Sequence, residues 1–139
     1  MATCELCEQA GGEVLYRDAS LRVVLVDEPN YPGFCRVIWH THLQEMTDLP
    51  VAERGMLMAA VWRVEDGLRE VMRPDKINLA SLGNMTPHLH WHVIPRYTDD
   101  AQFPAPIWGA LQRVPEPSSL ARRIDLLPAL RAAIVRRFT

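Results

Sequence analysis

An α+β fold is the class this sequence predicts, and three patterns carry that reading. Five short runs rich in β-branched and aromatic residues are bounded by turn residues, as strands are. One long central stretch repeats apolar residues at helical spacing, and a second helical pattern follows a proline-rich segment near the end.

Residues 13–17 and 21–27 form the first two strands, joined by the polar turn Asp18-Ala19-Ser20. Within the second, Val23-Val24-Leu25-Val26 is apolar and mostly β-branched, which suits a buried strand. Pro29-Asn30-Tyr31-Pro32-Gly33 is loop chemistry, and residues 34–39 read as the third strand. Thr47-Asp48-Leu49-Pro50 signals a helix start, with a polar cap and proline in the first turn. Leu57, Ala60, Val61, Val64, Leu68 and Val71 then predict one apolar stripe, and Pro74 stops the helix beyond Arg73. Gly55 and Gly67 weaken this helix by about 1 kcal/mol each relative to alanine, so packing must hold it. Met56, Met58 and Met72 read as packing material rather than ligands.

Residues 77–82 and 89–95 are the fourth and fifth strands. Four prolines between 98 and 117 predict an extended arm with little regular structure. Ser118 or Ser119 caps a last helix through Leu120, Ile124, Leu127, Leu130 and Ile134, which Pro128 kinks or divides. Residues 1–97 are thus the core, and 98–139 an arm and helix of the same domain.

The 139 residues suit one domain with a sizeable core. Hydrophobic residues make up 48% and charged residues 23%, a globular rather than disordered balance. A formal net charge of −2 supplies no basic field for a nucleic acid polymer. The arginines at 122, 123, 131, 136 and 137 read as a solvated helix face. No apolar run is long enough to span a bilayer and no leader pattern is visible, so a soluble, cytoplasmic protein is expected. In a reducing compartment the Cys4-x-x-Cys7 pair reads as a metal or redox site, and Cys35 as a small buried hydrophobe.

The chemistry concentrates in His88-Leu89-His90-Trp91-His92-Val93-Ile94-Pro95-Arg96, where three of five histidines alternate. On a strand, alternate residues share a face, so His88, His90 and His92 point one way and Leu89, Trp91 and Val93 the other. Imidazole can act as nucleophile, proton donor or metal ligand near neutral pH. A row of imidazoles is poor core material and reads as a site.

This segment resembles the histidine triad (HIT) motif, His-φ-His-φ-His-φ-φ with φ apolar, and Pro95-Arg96 matches many members. Asp27 before the Pro-Gly loop, Val37-Ile38 leading to His42, Asp48-Leu49 at the helix start and Asn78 before the triad agree in order, so the resemblance covers roughly residues 4–97. Phe103-Pro104 and Pro106-Ile107-Trp108-Gly109 resemble the tail of some bacterial branches. It implies an antiparallel sheet of about five strands with the long helix packed on it, in a homodimer. The substrate it implies is a nucleoside phosphoramidate, an adenylate or a dinucleoside polyphosphate, attacked at the α-phosphate.

By that resemblance His90 attacks phosphorus and forms a nucleotidyl-histidine, its other nitrogen held by a backbone carbonyl. His92 donates to phosphate oxygens, and His88 completes the triad. Asp27 accepts from the ribose hydroxyls, while Asn78 and Asn84 are candidates for phosphate or sugar contacts. As a bare sequence feature, Asp27 is equally a strand-end aspartate opening a turn. Phe34 stands where many relatives carry a further histidine, which thins the relay behind the nucleophile. No cofactor is needed for this chemistry. Some relatives bind structural zinc through residues corresponding to Cys4, Cys7, His42 and His88, a Cys₂His₂ set, although Cys4 lies near the chain start, where order is costly. His40 reads as an exposed loop histidine, and Trp108 on the arm as a contact for the leaving group of the partner subunit's substrate.

Two other readings compete. The three histidines could jointly bind a catalytic metal, which requires a further carboxylate or histidine. Alternatively the pocket binds nucleotide without turnover.

Overall fold

The computed structural model describes residues 3–139. A single helical turn, α1 (Glu5–Glu8), precedes β1 (Glu13–Arg17), β2 (Leu21–Leu25) and β3 (Cys35–Trp39). A 3₁₀ turn (Met46–Asp48) leads into the long helix α2 (Val51–Met72), followed by β4 (Lys76–Ala80) and β5 (His90–Arg96). Two helices close the chain, α3 (Pro117–Asp125) and α4 (Leu127–Phe138). The five strands form one antiparallel sheet in the order β1-β2-β3-β5-β4, the α+β architecture expected from sequence.

Strand alternation sorts the sheet into two faces. Val23, Val37, Trp39, Leu89 and Val93 pack with Leu57, Val61, Val64 and Leu68 of α2 in one buried cluster. Each such side chain contributes about 1.5–3 kcal/mol by leaving water, so this face holds the fold together. The opposite face carries Val24 and Ile38 under Leu6 of α1, and Tyr31 and Phe34 against Ile94.

Several elements differ from expectation, each for a local reason. Pro50 is the N-cap of α2 rather than part of its first turn, because the preceding residues wind into the 3₁₀ turn, closed by a capping box between Glu45 and Asp48. Helix α2 ends at Arg73, a left-handed residue (φ 46°) before Pro74. Gly67 is not merely a weak point: a Cβ there would sit 2.7 Å from Ile134 Cδ1, so glycine lets α4 press onto α2. Met56 stands half-exposed and packs little, whereas Met72 is buried. Glu116, not Ser118 or Ser119, is the N-cap of α3, with Pro117 first in the helix. Pro128 does divide the last helical segment, lying in the first turn of α4.

The arm is the largest departure. It lacks helix and strand, as expected, but it is not extended. Arg96 and Asp100, both buried, pair at 2.8 and 3.0 Å, and Asp100 also accepts from the backbone N–H groups of Tyr97, Gln102 and Phe103. Arg96 reaches on to the Ala105 carbonyl at 2.7 Å, and Arg113 donates to the Asp100 carbonyl at 2.6 Å. These bonds fold the arm back over the sheet face opposite α2. Arg131 pairs with Glu13, and Arg136 and Arg137 with Glu70, on the expected solvated face, but Arg123 departs from it: its side chain is 12% exposed, lies over the Tyr97 ring and pairs with Asp99. None of the described helices is long and apolar enough to cross a membrane.

Candidate functional site

The three alternating histidines lie on the sheet face away from α2, while Leu89, Trp91 and Val93 belong to or pack against the main core. His88 itself precedes the strand, in a bend. His90 and His92 stand on β5 opposite Ile38 and Arg36 of β3. Their rings meet edge-on with centroids 4.9 Å apart.

His90 Nδ1 lies 2.5 Å from the His88 carbonyl oxygen. A carbonyl only accepts, so this nitrogen carries the proton and Nε2 keeps its lone pair. Ser81 Oγ donates to the His90 carbonyl at 2.7 Å, holding the backbone of the same residue. Burial lowers the basicity of His90, although the bond to His88 opposes this. His92 is pushed down to about 3 by burial, with His90 and Arg36 adding to the effect, so it is neutral at pH 7. Its buried Nδ1 has no hydrogen-bond partner.

The ring of His88 turns elsewhere. Its Nε2 donates to the Trp39 carbonyl at 2.6 Å, leaving Nδ1 free as an acceptor. That Nδ1 lies 3.3 Å from Cys4 Sγ, 3.5 Å from Cys7 Sγ and 3.3 Å from His42 Nδ1. The Cys7 Sγ–His42 Nδ1 separation is 3.5 Å, and all four donor atoms fall within 4.8 Å of one another. A tetrahedron with zinc–sulfur bonds near 2.3 Å and zinc–nitrogen bonds near 2.0 Å has edges of roughly 3.3–3.8 Å, which these separations match. A metal-binding histidine ordinarily donates its second nitrogen to a carbonyl, as His88 does. The donor set therefore fits zinc. Because His88 is engaged here and His90 is tied to a carbonyl, the three triad rings do not converge on a common point.

The N-terminal ligands are well held despite their position in the chain. Buried Arg22 donates to the carbonyls of Leu6, Gln9 and Ala10, and Leu6 plugs into the sheet against Val24 and Ile38. At Gly12 a Cβ would come 2.6 Å from the Leu25 carbonyl, so this close return to the sheet requires glycine. Leu89 N–H donates to the Leu43 carbonyl at 2.7 Å, which sets the His42 loop beside His88.

One cavity opens on His90, and a second lies beside the aromatic residues that pack on His92. The first, of about 300 Å³, is lined by Ser81, Gly83, His88, His90 and Trp91. The other, about 240 Å³, is lined by Glu28, Asn30, Tyr31, Phe34, Arg36 and Trp108. Phe34 and Trp108 both pack edge-on against His92, at 5.5 and 5.0 Å between centroids. Trp108 thus reaches the site of its own chain; the back-folded arm delivers it there without a partner subunit.

The remaining expected contacts are less gathered. Asp27 is exposed in the loop after β2, between Val26 and Glu28, which both line the smaller cavity. Asn78 faces the arm, its Oδ1 accepting from Arg96 at 2.7 Å. Asn84 is exposed in the loop before the triad. His40 is exposed, and Cys35 is buried with its thiol pushed up to about 12 by burial. Arg36 escaped the sequence reading, although a charged residue at an alternate position of an otherwise apolar strand was a usable signal.

The HIT domain model matches residues 8–99. A curated relative from Mycobacterium tuberculosis, named AP-4-A phosphorylase, is 31% identical over a 105-residue alignment that covers 71% of this chain and 54% of that protein. The chain therefore spans about half the length of the curated relatives it matches. Among solved structures, the histidine triad protein blr8122 from Bradyrhizobium japonicum superposes with a TM-score of 0.75 at 30% identity, covering 96% of this chain and 97% of the other. A zinc-bound histidine triad family protein from Mycobacterium smegmatis shares the fold, with a TM-score of 0.64 at 24% identity over 96% of this chain and 94% of that one.

Proposed function

The chain belongs to the histidine triad (HIT) family, and from that premise we propose that it cleaves a nucleoside phosphate at its α-phosphorus through a nucleotidyl-His90 intermediate. The observation that carries this is the bond from His90 Nδ1 to the His88 carbonyl, which leaves Nε2 as the nucleophilic nitrogen beside His92. In the first step the Nε2–P bond forms and the bond from phosphorus to the leaving group breaks, the leaving group taking a proton from solvent. In the second, water attacks phosphorus and returns a proton to solvent, the P–N bond breaks, and nucleoside monophosphate and free His90 result.

His92, kept neutral by burial, hydrogen-bonds the non-bridging oxygens. Asp27 takes the ribose hydroxyls, and Asn78 and Asn84 are the further sugar and phosphate contacts. Substrates are nucleoside phosphoramidates, adenylates or dinucleoside polyphosphates. The relative named a phosphorylase supports a second acceptor for the intermediate, inorganic phosphate in place of water, which yields a nucleoside diphosphate.

Cys4, Cys7, His42 and His88 hold a structural zinc, a reading supported by their geometry and by the zinc-bound relative. A zinc held by these four residues would cross-link the N-terminal segment to the triad. The active unit is a homodimer of the 15.8 kDa chain, testable by light scattering. Its compartment is the cytoplasm, which the three free cysteines support.

The deciding experiment incubates wild type and His90→Ala with adenosine 5′-phosphoramidate and with diadenosine tetraphosphate, in water and in added phosphate. Expected is a nucleotidyl adduct on His90 by intact mass, with turnover lost in the variant. Nucleoside monophosphate formed equally by His90→Ala overturns the reading. Nucleoside diphosphate appearing with phosphate selects the second acceptor.

A further inference from the structure

The displacement requires charge stabilisation on the phosphate oxygens. The cation placed beside the β5 histidines is Arg36. It stands opposite His92 in the β3–β5 register, on the same sheet face, and lines the smaller cavity.

The guanidinium of Arg36 is only partly used by the protein. One terminal nitrogen donates to the Gly11 carbonyl at 3.1 Å, and its carbon lies 5.7 Å from the Phe34 ring centroid. Its buried Nε has no partner, and no carboxylate among the described residues forms an ion pair with it. The unpartnered Nδ1 of His92 lies one strand away. A partly buried cation pays for lost hydration unless an anion compensates it; the buried Arg96, by contrast, has its own aspartate.

We propose that Arg36 is a phosphate-binding residue, whose planar fork takes a non-bridging oxygen of the substrate's α-phosphate while His90 attacks. This rests on the nucleotidyl-histidine reading and adds a fixed positive charge to that site. Arg36 follows Phe34 by two residues on the same sheet face, so its charge lies beside the ring that packs on His92. Guanidinium suits the task because it stays charged when desolvated and donates in a plane matched to two oxygens.

The test compares binding of adenosine and adenosine monophosphate to wild type and to Arg36→Met, which keeps the aliphatic stem. Adenosine monophosphate affinity is expected to fall by about 10- to 100-fold, the size of a charge-assisted hydrogen bond, while adenosine affinity stays unchanged. An unaltered ratio between the two ligands in a variant with wild-type near-ultraviolet dichroism overturns the proposal. Equal loss of both ligands also overturns it, since that marks a collapsed Gly11 loop. A second measurement uses wild type alone: phenylglyoxal labelling of Arg36, mapped by mass, is blocked by adenosine monophosphate but not by adenosine. Labelling indifferent to the nucleotide refutes the role. If His90 forms no adduct yet the ligand ratio still depends on Arg36, the nucleotidyl reading fails and the phosphate site stands.

Discussion

Asp100→Ala should unfold the arm before it harms the sheet, and the structure sets the size of the effect. The Asp100 carboxylate is 1% exposed and accepts from Arg96 twice, from three backbone N–H groups at 2.8–3.2 Å and from the Tyr31 hydroxyl at 3.2 Å. Removing it leaves the Arg96 charge buried, with only Asn78 Oδ1 and the Ala105 carbonyl as partners. Breaking a buried pair from one side costs about 3–5 kcal/mol. For a chain of this length that lowers the melting temperature by roughly 10–20 °C.

The same pair shapes the acid limb of stability. Burial alone would raise the Asp100 carboxyl, but Arg96 and the N–H groups of Tyr97 and Phe103 outweigh it and hold the carboxyl below its ordinary range. A group depressed on folding stabilises fully above its unfolded value, near 4, and that contribution vanishes as pH falls through the folded value. Urea titrations of wild type and Asp100→Ala between pH 7 and 2.5 measure both effects. The two proteins should converge at the acid end. The double variant Arg96→Met/Asp100→Leu should recover part of the loss, because it removes both charges together. A loss below about 1 kcal/mol for Asp100→Ala at pH 7 would refute the reasoning, since an exposed pair contributes no more than that.

His92 adds an independent acid window. Its folded value of about 3 lies below the unfolded imidazole, so the unfolded chain binds the extra proton and stability falls as pH drops below about 6.5. The slope from this group approaches about 1.4 kcal/mol per pH unit, and a His92→Asn variant with the same slope would count against burial as the cause. Metal analysis should give one zinc per chain, lost in Cys4→Ser/Cys7→Ser; chelation of wild type should lower its melting temperature and expose residues 4–12 to protease. Retained zinc in that variant would sink the Cys₂His₂ assignment. Trp108→Ala should alter the relative rates for a small amine and a large polyphosphate leaving group by several-fold, whereas equal scaling of both removes Trp108 from leaving-group recognition. Gly67→Ala should cost about 1–3 kcal/mol through overpacking, offset by up to about 1 kcal/mol of helix propensity. Ile134→Val in the same background should restore stability by withdrawing the Cδ1 atom; a Gly67→Ala protein as stable as wild type would show that the helices part easily.

What the sequence determined by itself was everything governed by short-range periodicity. The two-residue alternation of β5 separates His90 and His92 from Trp91 and Val93, and the i, i+3, i+4 stripe of α2 selects Leu57, Val61, Val64 and Leu68 for the core. Both follow from backbone geometry, which repeats the same way wherever the segment lies. The triad was legible for the same reason, as was the division of the last helix at Pro128, where the ring removes a hydrogen bond locally.

Tertiary structure decided whatever depends on residues distant in sequence. Cys4, Cys7, His42 and His88 were joined by resemblance, but their separations of 3.3–3.5 Å come from Arg22 gathering three carbonyls and from Leu89 pairing with Leu43. The arm looked extended because four prolines exclude regular structure, yet prolines say nothing about direction. Its course is set by a buried Arg96–Asp100 pair whose attraction grows as water is excluded, a condition that only the folded chain creates. Arg36 is marked in the sequence by its place in an apolar strand, but its use shows only once the neighbouring strand places His92 opposite it and no carboxylate pairs with it.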